Sequence, residues 1–160
     1  MTITEDEIAK ALIAWGDGIV SVSRAYETDG FELAKRVATK TLDDLYGFEL
    51  GPILFKPTLS GGKKTFRTTQ AGALSYFIGN NAEYPFDTGF SLKCWREVWF
   101  ETSATFTQNN IAMWMGWMIF KNKEGLSIKV DKSFGYQKTG DGVLKIILHH
   151  SSLPYEPTTP

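Results

Sequence analysis

The chain has 160 residues, and its 17 lysines and arginines are balanced by 18 aspartates and glutamates, which gives a net charge of −1 at pH 7. Intermixed charges of this kind argue against the basic patch that nucleic-acid binding requires. No apolar run approaches the roughly 20 residues that span a bilayer, and the acidic start of the chain is unlike a signal peptide. We therefore predict one domain over residues 1–160, cytoplasmic, with neither nucleic acid nor a membrane as a partner.

The composition argues against a metal site and against disulfide chemistry. One cysteine, Cys94, excludes an internal disulfide and is consistent with a reducing compartment. Two histidines and this cysteine make a zinc site improbable, because structural zinc needs four such ligands and catalytic zinc about three. We predict no metal and no cofactor.

A long helix is predicted at the start of the chain. Thr4 and Glu7 have the spacing of a capping box, with acidic residues in the first turn. From Ile8 to Tyr26, apolar residues recur at steps of three and four, which is the period of one helical face.

Two further helices and a short strand follow. The second helix is expected from about Phe31 to Tyr46, with Gly47 at its C-terminal cap. Residues 53–55 lie between two prolines and predict a short strand at a sheet edge. Thr69 is a suitable N-cap for a third, short helix.

Four antiparallel strands are predicted between Phe90 and Leu153. The runs of β-branched and aromatic residues are separated by Asn- and Gly-containing turns at 108–110, 122–125 and 139–142. The connections are too short for parallel crossovers, so the strands should form an antiparallel meander.

The strand Ile111–Phe120 is apolar on both of its faces. A solvated antiparallel sheet usually alternates apolar and polar residues, so both faces of this strand should be covered. Helices of the same chain can cover one face, and a second subunit can cover the other, which predicts a homodimer through the sheet. Coverage by loops or by the C-terminal tail is the alternative.

The alternation of side chains along the last two strands suggests which polar groups point inward. Lys132 shares a face with apolar and aromatic neighbours, which is unusual unless the amine is paired or lines a cavity. On the last strand, Lys145 shares a face with His149, which indicates that this side meets solvent or a partner. His150 would then lie at the end of the apolar face.

The order of the elements, together with the closing run Lys145–Pro154 that contains two histidines and two serines, resembles the nuclear transport factor 2-like superfamily. Its SnoaL-like polyketide cyclases and the association domains of calmodulin-dependent kinases often end in a similar strand. The resemblance implies a cone-shaped, cystatin-like α+β fold, with N-terminal helices packed on a strongly curved, mainly antiparallel sheet. It also implies a pocket between sheet and helices, and frequent homodimers.

The resemblance and the strand alternation together place two basic residues in this pocket. We predict His150 as a catalytic acid or base, because histidine titrates near neutral pH. Lys132 and Arg96 are predicted to contact an anionic group of the ligand. In the alternative, His150 is bonded to a backbone carbonyl and the two cations form ion pairs. Aromatic ligand contacts are predicted from Tyr76, Trp114, Trp117 and Tyr136.

The predicted function is a small-molecule-binding protein whose ligand is apolar or bears a carboxylate. If the protein is an enzyme, the resemblance favours proton transfer in an isomerisation, cyclisation or dehydration. No carboxylate is clearly directed into the pocket, so a non-catalytic homodimeric interaction module is the alternative. The sequence identifies neither the ligand nor a reaction.

Overall fold

Three helices pack on one face of a five-stranded sheet in the computed structural model, which describes residues 2–159. The helices are α1 (Glu5–Asp29), α2 (Phe31–Leu45) and α3 (Gln70–Ile78). The strands are β1 (Leu54–Lys56), β2 (Trp95–Gln108), β3 (Ile111–Asn122), β4 (Ser127–Lys138) and β5 (Leu144–Ser152). The predicted α+β fold, with helices on a curved and mainly antiparallel sheet, is confirmed. Within residues 2–159, no helix has the length and apolar character needed to cross a bilayer.

The spatial order of the strands is β1-β5-β4-β3-β2. The last four strands form the predicted antiparallel meander. Strand β1 adds to its edge by pairing with β5 in parallel, which sets Phe55 opposite His149. The short β1 therefore brings residues from the first half of the chain beside the end of the last strand.

Helix α1 begins as the capping box predicts and then packs closely against its neighbours. Thr4 accepts a hydrogen bond from the Glu7 backbone N–H, and the Glu7 carboxylate accepts one from the Thr4 N–H. Two glycines in the middle of the helix permit close contact rather than a break. A Cβ atom on Gly16 would lie 3.0 Å from the Val98 Cβ, and one on Gly18 would lie 2.6 Å from the Thr41 Cγ2.

Strand β3 has one covered face and one open face. Ala112, Trp114 and Phe120 are at most 1% exposed beneath the helices, whereas Met113 and Met115 on the other face are about half exposed. Neither a loop nor the tail within residues 2–159 buries these two methionines. Coverage of the outer face by a second subunit stays a prediction.

An extra residue in β5 reverses the predicted direction of the two histidines. Gly135 pairs with Leu148 and the next residue, Tyr136, pairs with Ile146, so Ile147 is left without a partner as a β-bulge. His149 is therefore 1% exposed on the inner face, and His150 is exposed on the outer face. The prediction that His150 points inward is wrong, because it assumed unbroken alternation along the strand.

We expect Gly116→Ala to destabilise the fold. A Cβ atom on Gly116 would lie 2.2 Å from the Glu101 carbonyl oxygen and 2.7 Å from the Trp114 ring, beside a second bulge in β2. Such overpacking should lower the free energy of unfolding by about 1–3 kcal/mol in chemical denaturation. Gly140→Ala is the matched control, because a Cβ atom there meets nothing within 4 Å. Equal stability of the two variants would contradict the close approach.

Candidate active site

A small cavity with aromatic walls lies between the helices and the inner face of the sheet. Its volume is about 10 Å³, roughly the room needed by one water molecule. A cavity of this size suits a ligand of very few heavy atoms, not an elongated apolar molecule. Its lining is aromatic at Trp15, Phe55, Tyr76, Phe77 and Phe90 and polar at Thr58, Lys132 and His149, and Pro57 completes it.

His149 is held between aromatic rings. The Phe55 ring stacks on the imidazole with centroids 4.4 Å apart, and the Phe134 ring lies 4.5 Å away. The Trp15 ring meets its edge at 5.5 Å. These contacts fix the ring plane and exclude water, so the chemistry of the imidazole depends on what its two nitrogens bind.

Both imidazole nitrogens of His149 have protein partners in one buried hydrogen-bond chain. The Trp15 Nε1–H donates to Tyr46 Oη at 2.9 Å, and Tyr46 Oη lies 2.8 Å from His149 Nδ1. His149 Nε2 in turn lies 2.9 Å from Lys132 Nζ. The chain joins α1, the residue after α2, β5 and β4.

The environment shifts the protonation equilibria of these groups. Burial lowers the pKa of His149 well below its usual range, and the neighbouring Lys132 lowers it further. Burial lowers the pKa of Lys132 to about 7, although Asp131 partly opposes this shift. Burial raises the pKa of Tyr46 and raises that of Tyr76 to about 12, so both phenols are un-ionised near neutral pH.

Hydroxyl groups complete the polar side of the site. Thr58 Oγ1 and Ser151 Oγ lie 2.6 Å apart, and Ser151 is opposite Lys132 in the β4–β5 pairing. Lys56 Nζ donates to the Ser151 carbonyl at 2.8 Å, which ties β1 to β5. The buried Tyr76 hydroxyl has no hydrogen-bond partner among the groups of residues 2–159.

A larger surface cleft of about 320 Å³ is less suited to chemistry. Its buried Arg67 forms a two-pronged ion pair with Asp87, at 2.6 and 2.8 Å. Its Lys64 ammonium donates to the Glu83 carbonyl and lies over the Tyr84 ring. These groups are engaged with each other, whereas the small cavity contains groups with shifted pKa values and free hydrogen-bonding capacity.

Among the predicted site residues, Lys132 and Tyr76 line the cavity. Their roles in binding stay predictions. Trp114 and Tyr136 are each 1% exposed and belong to the core, where they pack against Phe134.

Three predicted site residues lie elsewhere. Arg96 is the unpaired residue of a β2 bulge and forms an ion pair with Glu27 of α1 at 2.7 Å, so it does not face the cavity. Trp117 is on the outer face of the sheet, beneath the Lys129 ammonium. His150 is on that outer side because of the bulge at Ile147. Their assignment to the pocket is wrong.

Five residues of the site were not predicted as such: His149, Thr58, Ser151, Tyr46 and Trp15. Trp15 belongs to the apolar period of the first predicted helix and Tyr46 was expected at the end of the second, whereas no sequence signal singled out Thr58. The closing run contained His149 and Ser151, but only the bulge turns them inward. The sequence signal for this bulge was Gly135, because an isolated glycine in a strand often marks a bulge. In the structure, a Cβ atom at this position would lie 2.9 Å from the Leu148 Cβ.

The comparisons with known proteins decide the family. A family model described as metal-independent carbonic anhydrase matches residues 6–153. The chain belongs to this family. Within residues 2–159, no group of three or more His, Cys, Asp or Glu side chains is placed to hold a metal ion.

Individual family members resemble the chain over nearly its whole length. It is 47% identical over 154 residues to a metal-independent carbonic anhydrase of Nostoc sp., covering 96% of this chain and 75% of that protein. It is also 47% identical to a cyanobacterial iota-carbonic anhydrase whose crystal structure contains bicarbonate. The two structures superpose with a TM-score of 0.96, covering 98% of this chain and 95% of the other.

A solved structure with lower sequence identity is similar to this chain in fold alone. A putative calcium/calmodulin-dependent protein kinase II association domain from Xanthomonas campestris has a TM-score of 0.61 and 21% identity, covering 94% of this chain and 88% of that one. The predicted resemblance to the nuclear transport factor 2-like superfamily is thereby confirmed for the fold.

The functional prediction from the sequence is corrected by membership of this family. We expected a binding protein of unknown specificity, an isomerase-, cyclase- or dehydratase-type enzyme, or a non-catalytic interaction module. The match to metal-independent carbonic anhydrases over residues 6–153 overturns all of these. The coarser expectation of a small carboxylate-type ligand agrees with the bicarbonate bound to the cyanobacterial family member.

Protein stability should depend on pH through Lys132. Its pKa is about 7 in the folded protein and about 10.4 in an unfolded chain. Between these values the unfolded state binds a proton that the folded state lacks, so stability rises with pH. We expect the free energy of unfolding to increase by about 2 kcal/mol from pH 7 to pH 9, relative to Lys132→Met. Parallel pH dependences of the two proteins in urea denaturation would contradict the lowered pKa.

Proposed function

We propose that this protein is a carbonic anhydrase that interconverts carbon dioxide and bicarbonate in the cavity beside His149. The observation that carries the proposal is the 47% identity and TM-score of 0.96 to the bicarbonate-bound iota-carbonic anhydrase. Similarity over 98% of the chain includes every element that lines the cavity, so a shared site is the simplest expectation.

The lining of the cavity fits the substrate of this reaction. Carbon dioxide is small, linear and without a net dipole, so walls such as Trp15, Phe55 and Phe90 can accommodate it without leaving polar groups unpaired. The limited volume favours a molecule of very few heavy atoms, such as carbon dioxide. Exclusion of bulk water also strengthens every electrostatic interaction in the cavity.

The polar side of the cavity fits the product. In hydration, the oxygen of water bonds to carbon, one C=O π bond opens onto oxygen, and a proton leaves the attacking water. Negative charge then develops on oxygen, where prearranged donors stabilise it. The hydrogen bond between the Thr58 and Ser151 hydroxyls uses the hydrogen of one of them. The hydrogen of the other hydroxyl can therefore be donated to a ligand in the cavity. The Tyr76 hydroxyl and the Lys132 amine are further donors.

Thr58→Val and Ser151→Ala test the proposed site. Loss of one donor to a developing oxyanion typically costs about 100- to 1000-fold in rate, and we expect at least about a 10-fold loss of kcat/KM for each variant. Initial rates of CO2 hydration, followed by stopped-flow with a pH indicator, provide the measurement. His150→Ala is the matched control, because this histidine adjoins His149 in sequence but is exposed on the other side of the sheet.

Two outcomes would refute the proposal. One is a wild-type protein that hydrates CO2 no faster than buffer. The other is an active wild type in which His150→Ala is as damaging as Ser151→Ala, because the reaction would then not depend on the inner face of β5.

We further propose that the protein is a homodimer formed through the outer face of the sheet. This face exposes four large apolar side chains: Phe106 at 60%, Met115 at 58%, Met113 at 49% and Trp99 at 40%. Contiguous exposed apolar surface of this kind commonly marks an interface. A cytoplasmic location also stays a proposal, supported by the one cysteine of the chain.

Met115→Glu should convert the dimer to a monomer, because a charge buried without a partner at an interface is strongly unfavourable. Sedimentation velocity would measure the change in mass. Ile13→Glu is the control, because Ile13 is similarly exposed, at 53%, but lies on α1. A wild type that sediments as a monomer at all concentrations would contradict the proposed interface.

A further inference from the structure

The reaction needs a group that takes a proton from water, and His149 is poorly placed to be that group. Both of its ring nitrogens are engaged, Nδ1 with Tyr46 and Nε2 with Lys132. Lys132 Nζ, by contrast, makes this one hydrogen bond among the groups of residues 2–159, although an amine can make several. The nitrogen with spare capacity on the cavity wall is therefore that of Lys132.

The donors and acceptors of the hydrogen-bond chain favour one arrangement of its hydrogens. An indole N–H can only donate, so Tyr46 Oη accepts the bond from Trp15. The Tyr46 hydroxyl hydrogen then has one acceptor within reach, His149 Nδ1. A neutral imidazole that accepts at Nδ1 carries its hydrogen on Nε2 and donates it to Lys132 Nζ. An ammonium has no lone pair to accept this bond, so this tautomer of His149 requires Lys132 to be an uncharged amine.

The charges around Lys132 agree with this assignment. The titratable groups around it are His149 from β5, Lys56 from β1 and Tyr76 from α3, together with its neighbour Asp131 on β4. Lys56 opposes a second positive charge, Asp131 favours one, and the phenol and imidazole are neutral. Burial outweighs these effects and lowers the pKa of Lys132 to about 7.

The aromatic rings around Lys132 can also stabilise a positive charge on its amine once that charge forms. Lys132 Nζ lies 4.7 Å from the centroid of the Trp15 ring and 5.9 Å from those of Phe120 and Phe134. Aromatic faces attract an ammonium through their quadrupole, most strongly in a desolvated site. A lysine that rests as an amine and is stabilised as an ammonium is suited to accept a proton reversibly.

Given the proposed function, we propose that Lys132 is the catalytic base, which enters the reaction as an uncharged amine. Water bonds through oxygen to the carbon of CO2, and one of its protons moves to the Lys132 lone pair. The products are bicarbonate and the Lys132 ammonium, so atoms and charge balance. The ammonium then lies beside the anion that has formed.

His149 acts in this scheme as a positioning residue. The His149 Nε2–H donates to the Lys132 amine and holds it in place. It disfavours protonation of Lys132, because an N–H of the ammonium would then point at the His149 N–H. This opposition keeps Lys132 a weak base, so that the proton can leave near neutral pH and the amine can be restored for the next turnover.

The pH profile of activity tests the role of Lys132. General base catalysis is typically worth about 100- to 10,000-fold, so Lys132→Met and the permanently charged Lys132→Arg should each lose at least about 100-fold in kcat/KM. In the wild type, kcat/KM for hydration should rise with pH through an inflection near the pKa of Lys132, about 7. The residual activity of Lys132→Met should lack this inflection. Thr58→Val is the matched control: it should be slower and yet keep the inflection.

The outcomes separate this inference from the proposed function. A wild type inactive at every pH overturns both. An active wild type with Lys132→Met within about threefold of it, and with the inflection retained, overturns the base and leaves the carbonic anhydrase standing.

Two measurements on the wild type keep the test valid if Lys132→Met fails to fold. The 13Cε resonance of Lys132 should titrate near neutral pH, and a titration near the ordinary lysine value of about 10.4 overturns the inference. With 13C-bicarbonate, a carbamate resonance coupled to the Lys132 nitrogen would mark the amine as a nucleophile and would also overturn it.

Discussion

The burial of a lysine amine against a histidine ring is the constraint on which this structure depends. Lys132 is 4% exposed and His149 is 1% exposed, inside walls that are mainly aromatic. A buried polar group without a partner costs about 1–3 kcal/mol, so each nitrogen needs a hydrogen bond. Trp15 and Tyr46 meet this need from α1 and the end of α2, which explains why both long helices must dock on the sheet at this point.

The same burial connects packing to chemistry. A water-excluding aromatic cavity can hold a nonpolar gas molecule, and it also disfavours the charged form of an amine. One environment thereby provides both the proposed place for CO2 and a base whose pKa lies near neutral pH. The hydroxyls of Thr58, Ser151 and Tyr76 then supply donors on the polar side, where bicarbonate would form. The association domain with a TM-score of 0.61 has the same fold, so the proposed activity rests on these side chains and not on the fold alone.

The helices and the meander could be predicted from the sequence because local signals determine them. The capping box at Thr4, the helical period of the first half and the turns of the meander all agree with the structure. The burial of Lys132 also followed, since its strand alternates without a break up to that residue. These signals can be read from neighbouring residues, without information about contacts between distant parts of the chain.

The site was less predictable because it depends on irregularities and on contacts between distant parts of the chain. The bulge at Ile147 exchanges the directions of His149 and His150, and at the bulge in β2 Arg96 forms an ion pair with Glu27 of α1 instead of facing the cavity. Pattern analysis assumes unbroken alternation and fails at both places. The hydrogen bonds that join Trp15 to Tyr46, Thr58 to Ser151 and Tyr46 to His149 span 31, 93 and 103 positions of sequence, where periodicity carries no information. The substrate therefore could not be inferred from the pattern alone.

The tautomer of His149 tests the central claim most directly. The 15N chemical shifts of its two ring nitrogens, measured in the wild type at about pH 8, distinguish a protonated from an unprotonated nitrogen. We predict a hydrogen on Nε2 and a bare Nδ1 that accepts from Tyr46, the arrangement that requires Lys132 to be an uncharged amine. A hydrogen on Nδ1 and a bare Nε2 would mean that Lys132 is an ammonium at rest, and it would contradict the proposed base.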